Sequence, residues 1–294
     1  MHPVCAQWLP FPGDAMAHLF VNRLTVIDFS YLHAERGLLG ESWLVDVVLH
    51  GGLDEQGMVL DFGDVKKSVK QLIDERFDHK LLLPKRYAGL VQASQNDLLQ
   101  LDFTTTDGST IRHSSPADAV TQVDCEHITT DSLSRTIETA LQEIMPPNVE
   151  AVEIHLSPET FEGAFYQYSH GLKQHCGNCQ RIAHGHRSRL RIERNGTRDT
   201  ALEHDWCELW RDIYIGSRED LVEEKDGQMI FAYDAEQGRF LLQLPAARCH
   251  LMDADSTVEN IAQHIADSLK AHHPRDQLRV WAYEGVDKGA IGEA

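Results

Sequence analysis

Apolar and polar residues follow two different periods along the chain. Val45, Val47 and Leu49 alternate with their neighbours, and a period of two is typical of a strand. In the segment 61–77, apolar residues recur at helical spacing behind an aspartate that can cap a helix. The segment 128–166 has the pattern of an amphipathic helix, a Pro-Pro stop and two strands. These patterns predict an α+β chain.

The same order of elements occurs twice. Segment 37–73 can be aligned with segment 181–213, so that Gly40 matches Gly185 and Gly52 matches Gly196. Segment 128–166 likewise resembles segment 255–291. Matching at about half the chain length predicts the duplication of one unit.

The duplication gives a division of the chain. We expect a loose extension at residues 1–15, a first unit at 16–160 and a second unit at 161–294. In the second unit the match is lost after Trp210, where an acidic stretch and two extra apolar segments follow. An inserted hairpin is therefore expected near 213–245.

Composition and charge limit the classes of partner that the protein can bind and the cellular compartment that it fits. The formal net charge of −19 argues against nucleic-acid and anionic-membrane partners, which require a basic face. No apolar run approaches the ~18 residues of a membrane span, and no basic stretch precedes an apolar core at the N-terminus. Six cysteines without a secretion signal fit reduced thiols. We expect a cytoplasmic protein, and its charge is poorly suited to an anionic small substrate unless local basic groups overcome it.

Histidines and cysteines are concentrated in the segment 168–196. His184 and His186 flank a glycine at the start of a predicted strand, so both imidazoles point to one face. His170, on the preceding strand, is the nearest third ligand. Three nitrogen ligands with an open fourth position predict a catalytic zinc site. Two alternatives stay open: Cys176 and Cys179 could complete a closed structural zinc site with the histidine pair, or the histidines bind no metal.

The string "YSHGL…CGNCQRIAHGH" resembles the zinc signature of the 6-pyruvoyl-tetrahydropterin synthase and 6-carboxytetrahydropterin synthase family. The resemblance implies that His170, His184 and His186 bind Zn²⁺ and that Cys179 is the catalytic base. Cys176 could replace Cys179 if the loop register differs.

Other segments resemble further parts of the family pattern. "GMVLDFGDVKKSVKQLIDERFDHKLL" resembles the segment that ends in an Asp-His pair, here Asp78 and His79. "WAYEG" resembles the strand whose glutamate anchors the pterin, here Glu284. "STVENIA" resembles the start of the pterin-pocket helix, which makes Ser256 and Thr257 substrate-binding candidates, although Ser256 and Glu259 also fit a capping box.

Each copy departs from the family pattern at a different place. The first copy reads Gly40–Ser42 where the histidine pair belongs, and Leu156, or Glu159 in a shifted match, where the pterin glutamate belongs. The second copy lacks the Asp-His pair after its helix. The resemblance therefore implies one site between the units, with the proton-transfer pair from the first and the metal and pterin sites from the second.

The resemblance also implies a fold and a reaction. Each unit would be a four-stranded antiparallel sheet with two helices on one face, the tunnelling fold, and the chain would form homo-oligomers, for which we expect a dimer. The reaction would be the zinc-dependent lyase conversion of 7,8-dihydroneopterin triphosphate to 6-carboxy-5,6,7,8-tetrahydropterin on the queuosine path. Triphosphate elimination to 6-pyruvoyltetrahydropterin, or pterin binding without catalysis, are the alternatives.

Overall fold

The computed structural model describes residues 16–294, so the predicted extension at 1–15 lies outside the described residues.

Helices begin at residues whose side chains can cap them. Asp61 accepts a hydrogen bond from the backbone N of Gly63, and Thr129 accepts one from the backbone N of Ser132. The helices are α1 (Phe62–Arg76), α2 (Thr130–Gln142), α3 (Thr200–Leu209) and α4 (Val258–His272).

The strands form three sheets. In chain order they are β1 (Met16–His33), β2 (Gly37–Gly52), β3 (Leu81–Pro84), β4 (Leu90–Gln95), β5 (Leu98–Thr104), β6 (Thr110–Pro116), β7 (Val120–Val123), β8 (Val149–Pro158), β9 (Phe165–His170), β10 (His184–Arg194), β11 (Thr197–Arg198), β12 (Ile213–Ser217), β13 (Leu221–Lys225), β14 (Gln228–Ala235), β15 (Gly238–Pro245), β16 (Cys249–Met252), β17 (Leu278–Tyr283) and β18 (Gly289–Glu293). We call residues 16–160 the first half and residues 161–294 the second half.

Each half has its own sheet with related strand order. The first sheet runs β7-β3-β1-β2-β8, and the second runs β16-β12-β9-β10-β17-β18, with β11 paired to β10. The long strands are antiparallel, but β3 and β7, like β12 and β16, join in parallel. The prediction of four antiparallel strands per unit therefore differs from the structure, because a helix separates β2 from β3 and returns the chain parallel to β1.

Both halves carry an insertion, where only one was predicted. β4–β6 lie between β3 and β7, and β13–β15 lie between β12 and β16. β6 and β15 pair antiparallel, so the insertions form one six-stranded sheet, β13-β14-β15-β6-β5-β4. One face of this sheet is apolar and buried, with Phe103, Phe231 and Phe240 at its centre.

The first and second sheets cross at two glycines. A Cβ atom added to Gly40 would lie 1.8 Å from the carbonyl O of Tyr168, and one added to Gly185 would lie 2.6 Å from Cα of Gly40. Beside this crossing, Oγ of Ser30 is 2.7 Å from Oγ of Ser169. Only residues without a side chain allow the two backbones to come this close.

The register at the crossing relates the two halves. Ser30 pairs with Gly40 in the first sheet, and Ser169 pairs with Gly185 in the second. Because the two serines contact each other and the two glycines contact each other, equivalent positions face one another across an approximate twofold axis. In the described residues, no helix has both the length and the apolar character that crossing a membrane requires.

Candidate active site

Three histidines of the second half form a buried cluster at this crossing. His170 ends β9, and it pairs directly with His184, the first residue of β10. His186 follows on the same face, and all three side chains are at most 1% exposed. One ring nitrogen from each residue lies within 4.8 Å of those of the other two, and the Nε2 atoms of His170 and His186 are 3.3 Å apart.

An oxygen atom lies against the Nδ1 atom of each imidazole. Nδ1 of His170 is 2.9 Å from the carbonyl O of Ser256, and Nδ1 of His184 is 2.9 Å from the carbonyl O of Arg181. Nδ1 of His186 is 3.2 Å from Oδ1 of Asp28, a short contact that is bent away from ideal hydrogen-bond geometry. An acceptor at Nδ1 keeps its proton there and leaves Nε2 free as a metal ligand.

The protonation state of His170 and His184 also suits metal binding. Burial holds the pKa of His170 and the pKa of His184 well below the ordinary histidine value. Both rings are therefore neutral, as a metal ligand must be. Three imidazole nitrogens are a donor set that fits Zn²⁺. Among residues 16–294, Cys176 belongs to neither of the two groups of three ligand atoms and is exposed, which argues against the cysteine-ligated structural site.

The Asp-His pair of the first half lies beside this cluster, within the same chain. Nδ1 of His79 is 2.6 Å from Oδ2 of Asp78, and the ring centroids of His79 and His184 are 5.1 Å apart. Burial lowers the pKa of His79, but Asp78 and the neighbouring Cys179 outweigh it and raise the pKa to about 10. Ligand atoms of His79, Cys179 and His184 also lie within 4.8 Å of one another.

Cys179 lies on the loop that joins β9 to β10. The loop is anchored on both sides: the backbone N of Leu172 donates to the carbonyl O of Cys179 at 2.8 Å, and the hydroxyl of Tyr233 donates to the carbonyl O of Gln180 at 2.8 Å. Tyr233 belongs to the insertion of the second half. The insertion therefore helps to position the partly exposed thiol.

The three predicted substrate-binding residues lie near the histidines in different settings. Oε1 of Glu284 is 3.9 Å from Nε2 of His186, so this carboxylate faces the cluster. Ser256 is buried behind His170, with its Oγ 3.1 Å from Nδ1 of that ring. Thr257 caps α4 by accepting a hydrogen bond from the backbone N of Asn260, so the Ser256–Glu259 capping box was wrong.

Comparison with known proteins finds the same family in both halves of the chain. The model of a protein family described as 6-pyruvoyl tetrahydropterin synthase matches the chain twice, at residues 17–167 and 159–290. The chain belongs to the 6-pyruvoyl tetrahydropterin synthase family.

Relatives match one half at a time. A Methanocaldococcus jannaschii protein, provisionally named 6-carboxy-5,6,7,8-tetrahydropterin synthase, is 27% identical over 133 residues, which are 44% of this chain and 78% of the relative. The 6-pyruvoyltetrahydropterin synthase structure from Plasmodium vivax covers 49% of this chain and 92% of its own, at 25% identity and a TM-score of 0.40. The Plasmodium falciparum structure covers the same shares at 21% identity and a TM-score of 0.40.

The strand pairing shows which residues of the first half occupy the positions of the three histidines of the second half. Tyr31, Leu39 and Glu41 occupy the positions of His170, His184 and His186. The predicted match at Gly40–Ser42 was therefore one residue out of register. By the same pairing, Leu156 occupies the position of Ala282, so the predicted match of Leu156 to Glu284 was wrong.

The position of His79 is also changed in the other copy. It is taken by Asp212, and both residues have the same left-handed backbone, with φ of 53° for His79 and 56° for Asp212. Asp212 is buried in an ion pair with Arg36, whose Nη2 also donates to Oε1 of Gln167 at 2.6 Å. A cavity of about 150 Å³, lined in part by Arg36, Asp212 and Arg248, adjoins this pair.

Sequence reasoning missed the polar residues that lie behind the site. Asp28 is 3% exposed and contacts Ser42, His186 and Lys288. Its signal in the sequence was a single carboxylate in the apolar run "VIDFSYL". Buried carboxylates are rare unless they are paired, so the run could have marked Asp28 for attention.

Proposed function

We propose that the chain is a zinc-dependent lyase that converts 7,8-dihydroneopterin triphosphate to 6-carboxy-5,6,7,8-tetrahydropterin. The observation that carries the proposal is the approach of Asp78 and His79 to Cys179 and the histidine cluster inside one chain. Proton-transfer groups and a metal-binding donor set are what removal of the substrate side chain requires. The name of the Methanocaldococcus jannaschii relative favours the carboxy product.

His170, His184 and His186 would hold the zinc ion. Bound there, the ion would polarise the oxygen atoms of the substrate side chain and make the adjacent C–H and O–H bonds more acidic. Glu284 faces the same space from the end of β17. Its carboxylate can accept two hydrogen bonds from the guanidine-like edge of the pterin, with Thr257 and Ser256 nearby at the start of α4.

Cys179 and His79 divide the proton transfers. A cation next to a thiol favours the thiolate, and the His79 ring, with a nitrogen within 4.8 Å of the Cys179 sulfur, would supply one. The thiolate accepts a proton from the side-chain carbon of the substrate. His79, oriented by Asp78 through Nδ1, donates a proton to the departing group and recovers one afterwards.

The two halves are proposed to be tunnelling-fold units with complementary losses. The first unit, 16–160, has lost the zinc ligands, and the second, 161–294, has lost the Asp-His pair. The open edges of β8 and β18 support assembly by strand pairing, and we propose a homodimer. Light scattering would decide between a monomer, a dimer and a trimer.

Product analysis tests the reaction. Zinc-loaded protein is incubated with 7,8-dihydroneopterin triphosphate. One water is consumed, and mass spectrometry is expected to detect 6-carboxytetrahydropterin together with acetaldehyde and inorganic triphosphate. Cys179→Ala should abolish turnover, whereas Cys176→Ala, the matched control on the same loop, should keep it. Release of 6-pyruvoyltetrahydropterin would assign the alternative reaction. Pterin binding without turnover would contradict the enzyme and favour a binding module.

A further inference from the structure

Asp28 lies on β1 in the first half, at the point where this strand passes the histidine cluster of the second half. Its Oδ1 is 2.5 Å from Oγ of Ser42 and 3.2 Å from Nδ1 of His186. Its Oδ2 is 3.0 Å from Nζ of Lys288. Both carboxylate oxygens are thus engaged, and they connect three segments that are far apart in the sequence.

This carboxylate is buried, and each of its oxygens has a donor apart from His186. The hydroxyl of Ser42 donates to Oδ1, and the Lys288 ammonium donates to Oδ2. The Lys288 side chain is 52% exposed, so it can pair with Asp28 while it remains partly hydrated. The group in contact with His186 is therefore a carboxylate that is ion-paired with a lysine.

The loop after Glu284 is fitted around the same carboxylate. Gly285 has φ of +71°, and a Cβ atom added there would lie 2.5 Å from Oδ1 of Asp28. The backbone N of Gly285 also donates to Oγ of Ser188 at 3.3 Å. Glycine at this position allows Asp28 to reach His186 past the turn that carries Glu284.

The equivalent position in the other copy lacks this contact. By register, Gln167 corresponds to Asp28 and Glu41 corresponds to His186. Nε2 of Gln167 donates to Oε2 of Glu41 at 2.8 Å. The carboxylate therefore faces an imidazole only where the three histidines come together, and an amide takes its place where they do not.

We infer that Asp28 is a positioning residue, supplied by the first half, that fixes the tautomer of the metal ligand His186 and the turn that carries Glu284. The other two histidines have neutral carbonyl oxygens at Nδ1, so among residues 16–294 Asp28 is the one charged group at an Nδ1 atom of the cluster. A carboxylate at Nδ1 keeps the proton on that atom, directs Nε2 to the metal and makes the ring a stronger ligand. The inference rests on the proposed function only in that the histidine cluster binds zinc.

Zinc affinity tests the inference without any turnover. Asp28→Asn keeps the size of the side chain and removes its charge, and it is expected to weaken zinc binding by roughly 10- to 100-fold in competition with a chromophoric chelator. Gln167→Leu, which alters the equivalent buried position of the other copy, is the control and should leave zinc affinity within about twofold of the original. Equal zinc affinity of Asp28→Asn and the unchanged protein would overturn the inference.

Nitrogen-15 NMR of the histidines separates positioning from a general effect on folding. In the unchanged protein, His186 is expected to carry its proton on Nδ1 and to bind zinc through Nε2. In Asp28→Asn, the tautomer of His186 should become mixed while His170 and His184 keep theirs. Zinc on Nδ1 of His186 in the unchanged protein would overturn the inference even if the variant failed to fold.

The outcome also distinguishes the inference from the proposed function. Protein that binds zinc with the expected dependence on Asp28 but converts no pterin would contradict the lyase proposal alone. Protein that binds no zinc would overturn both.

Discussion

Replacing Gly40 by alanine should separate the two halves at their crossing. The new Cβ atom would lie 1.8 Å from the carbonyl O of Tyr168 and 2.5 Å from the backbone N of His186. Non-bonded atoms settle at about 3.5–4 Å, so the strands must move apart by roughly 1–2 Å. Both clashing atoms belong to the backbone of the strands that carry the histidine cluster, and no rotamer change can relieve the contact.

The magnitude follows from this geometry. Adding one methyl group to a closed site usually costs about 1–3 kcal/mol, and we expect ~3 kcal/mol or more because the obstacle is backbone. A displacement of His186 should also weaken zinc binding by roughly tenfold or more, as when a metal ligand loses its support. Urea unfolding followed by circular dichroism gives the free energy of unfolding, and chelator competition gives the zinc affinity.

Gly52→Ala is the matched control. Gly52 lies on the same strand, and a Cβ atom added there meets no atom within 4 Å. Its free energy of unfolding should change by less than about 1 kcal/mol, and its zinc affinity should stay the same. If Gly40→Ala were as stable as Gly52→Ala, the close crossing of the two sheets would be refuted.

Three further predictions concern charge and metal. Arg36→Met leaves Asp212 buried and poorly paired, and it should lower the free energy of unfolding in urea by roughly 2–3 kcal/mol. The loss is not larger because Arg36 is itself 39% exposed and solvent screens the pair. An unchanged midpoint would contradict the pairing. Burial raises the pKa of Glu41 from 4.5 to about 7, so the folded state loses stability as pH rises through this window. Glu41→Gln should therefore be more stable than the original at pH 8, by up to ~3 kcal/mol in the free energy of unfolding. This gain should disappear towards pH 5. Removal of zinc should lower the thermal unfolding midpoint. The stability lost is about 4 kcal/mol when free zinc had exceeded its dissociation constant ~1000-fold. His170→Ala should make the midpoint insensitive to zinc.

The sequence was most informative where chemistry and strand geometry coincide. Alternation along a strand places His184 and His186 on one face, and a directly paired neighbour, His170, completes the cluster. The resemblance to the family implied that an Asp-His pair in one copy and histidines in the other would share a site, and His79 does lie beside His184. The metal, catalytic and substrate roles of these residues stay predictions.

The remaining features depend on tertiary contacts that no local pattern contains. Asp28 meets Lys288 from the opposite end of the chain, so no spacing in the sequence could connect them. The match at Gly40–Ser42 was wrong because a shift of one residue along a strand moves each side chain to the other face, and only the pairing of Ser30 with Gly40 fixes the register. The insertion of the first half was missed, and its last strand, β6, pairs with β15 of the second half, a contact that no local pattern contains.

The shared sheet of the two insertions has a consequence for the integrity of the chain. β8 ends at Pro158 and β9 begins at Phe165, so within residues 16–294 a short surface connection joins the halves along the chain. A protease that cut this connection would leave two fragments that are still held together by the pairing of β6 with β15 and by the contact at the glycine crossing. Such a nicked molecule should migrate as two pieces under denaturing conditions yet travel as a single particle in native buffer, and separately produced halves should reassemble by fragment complementation.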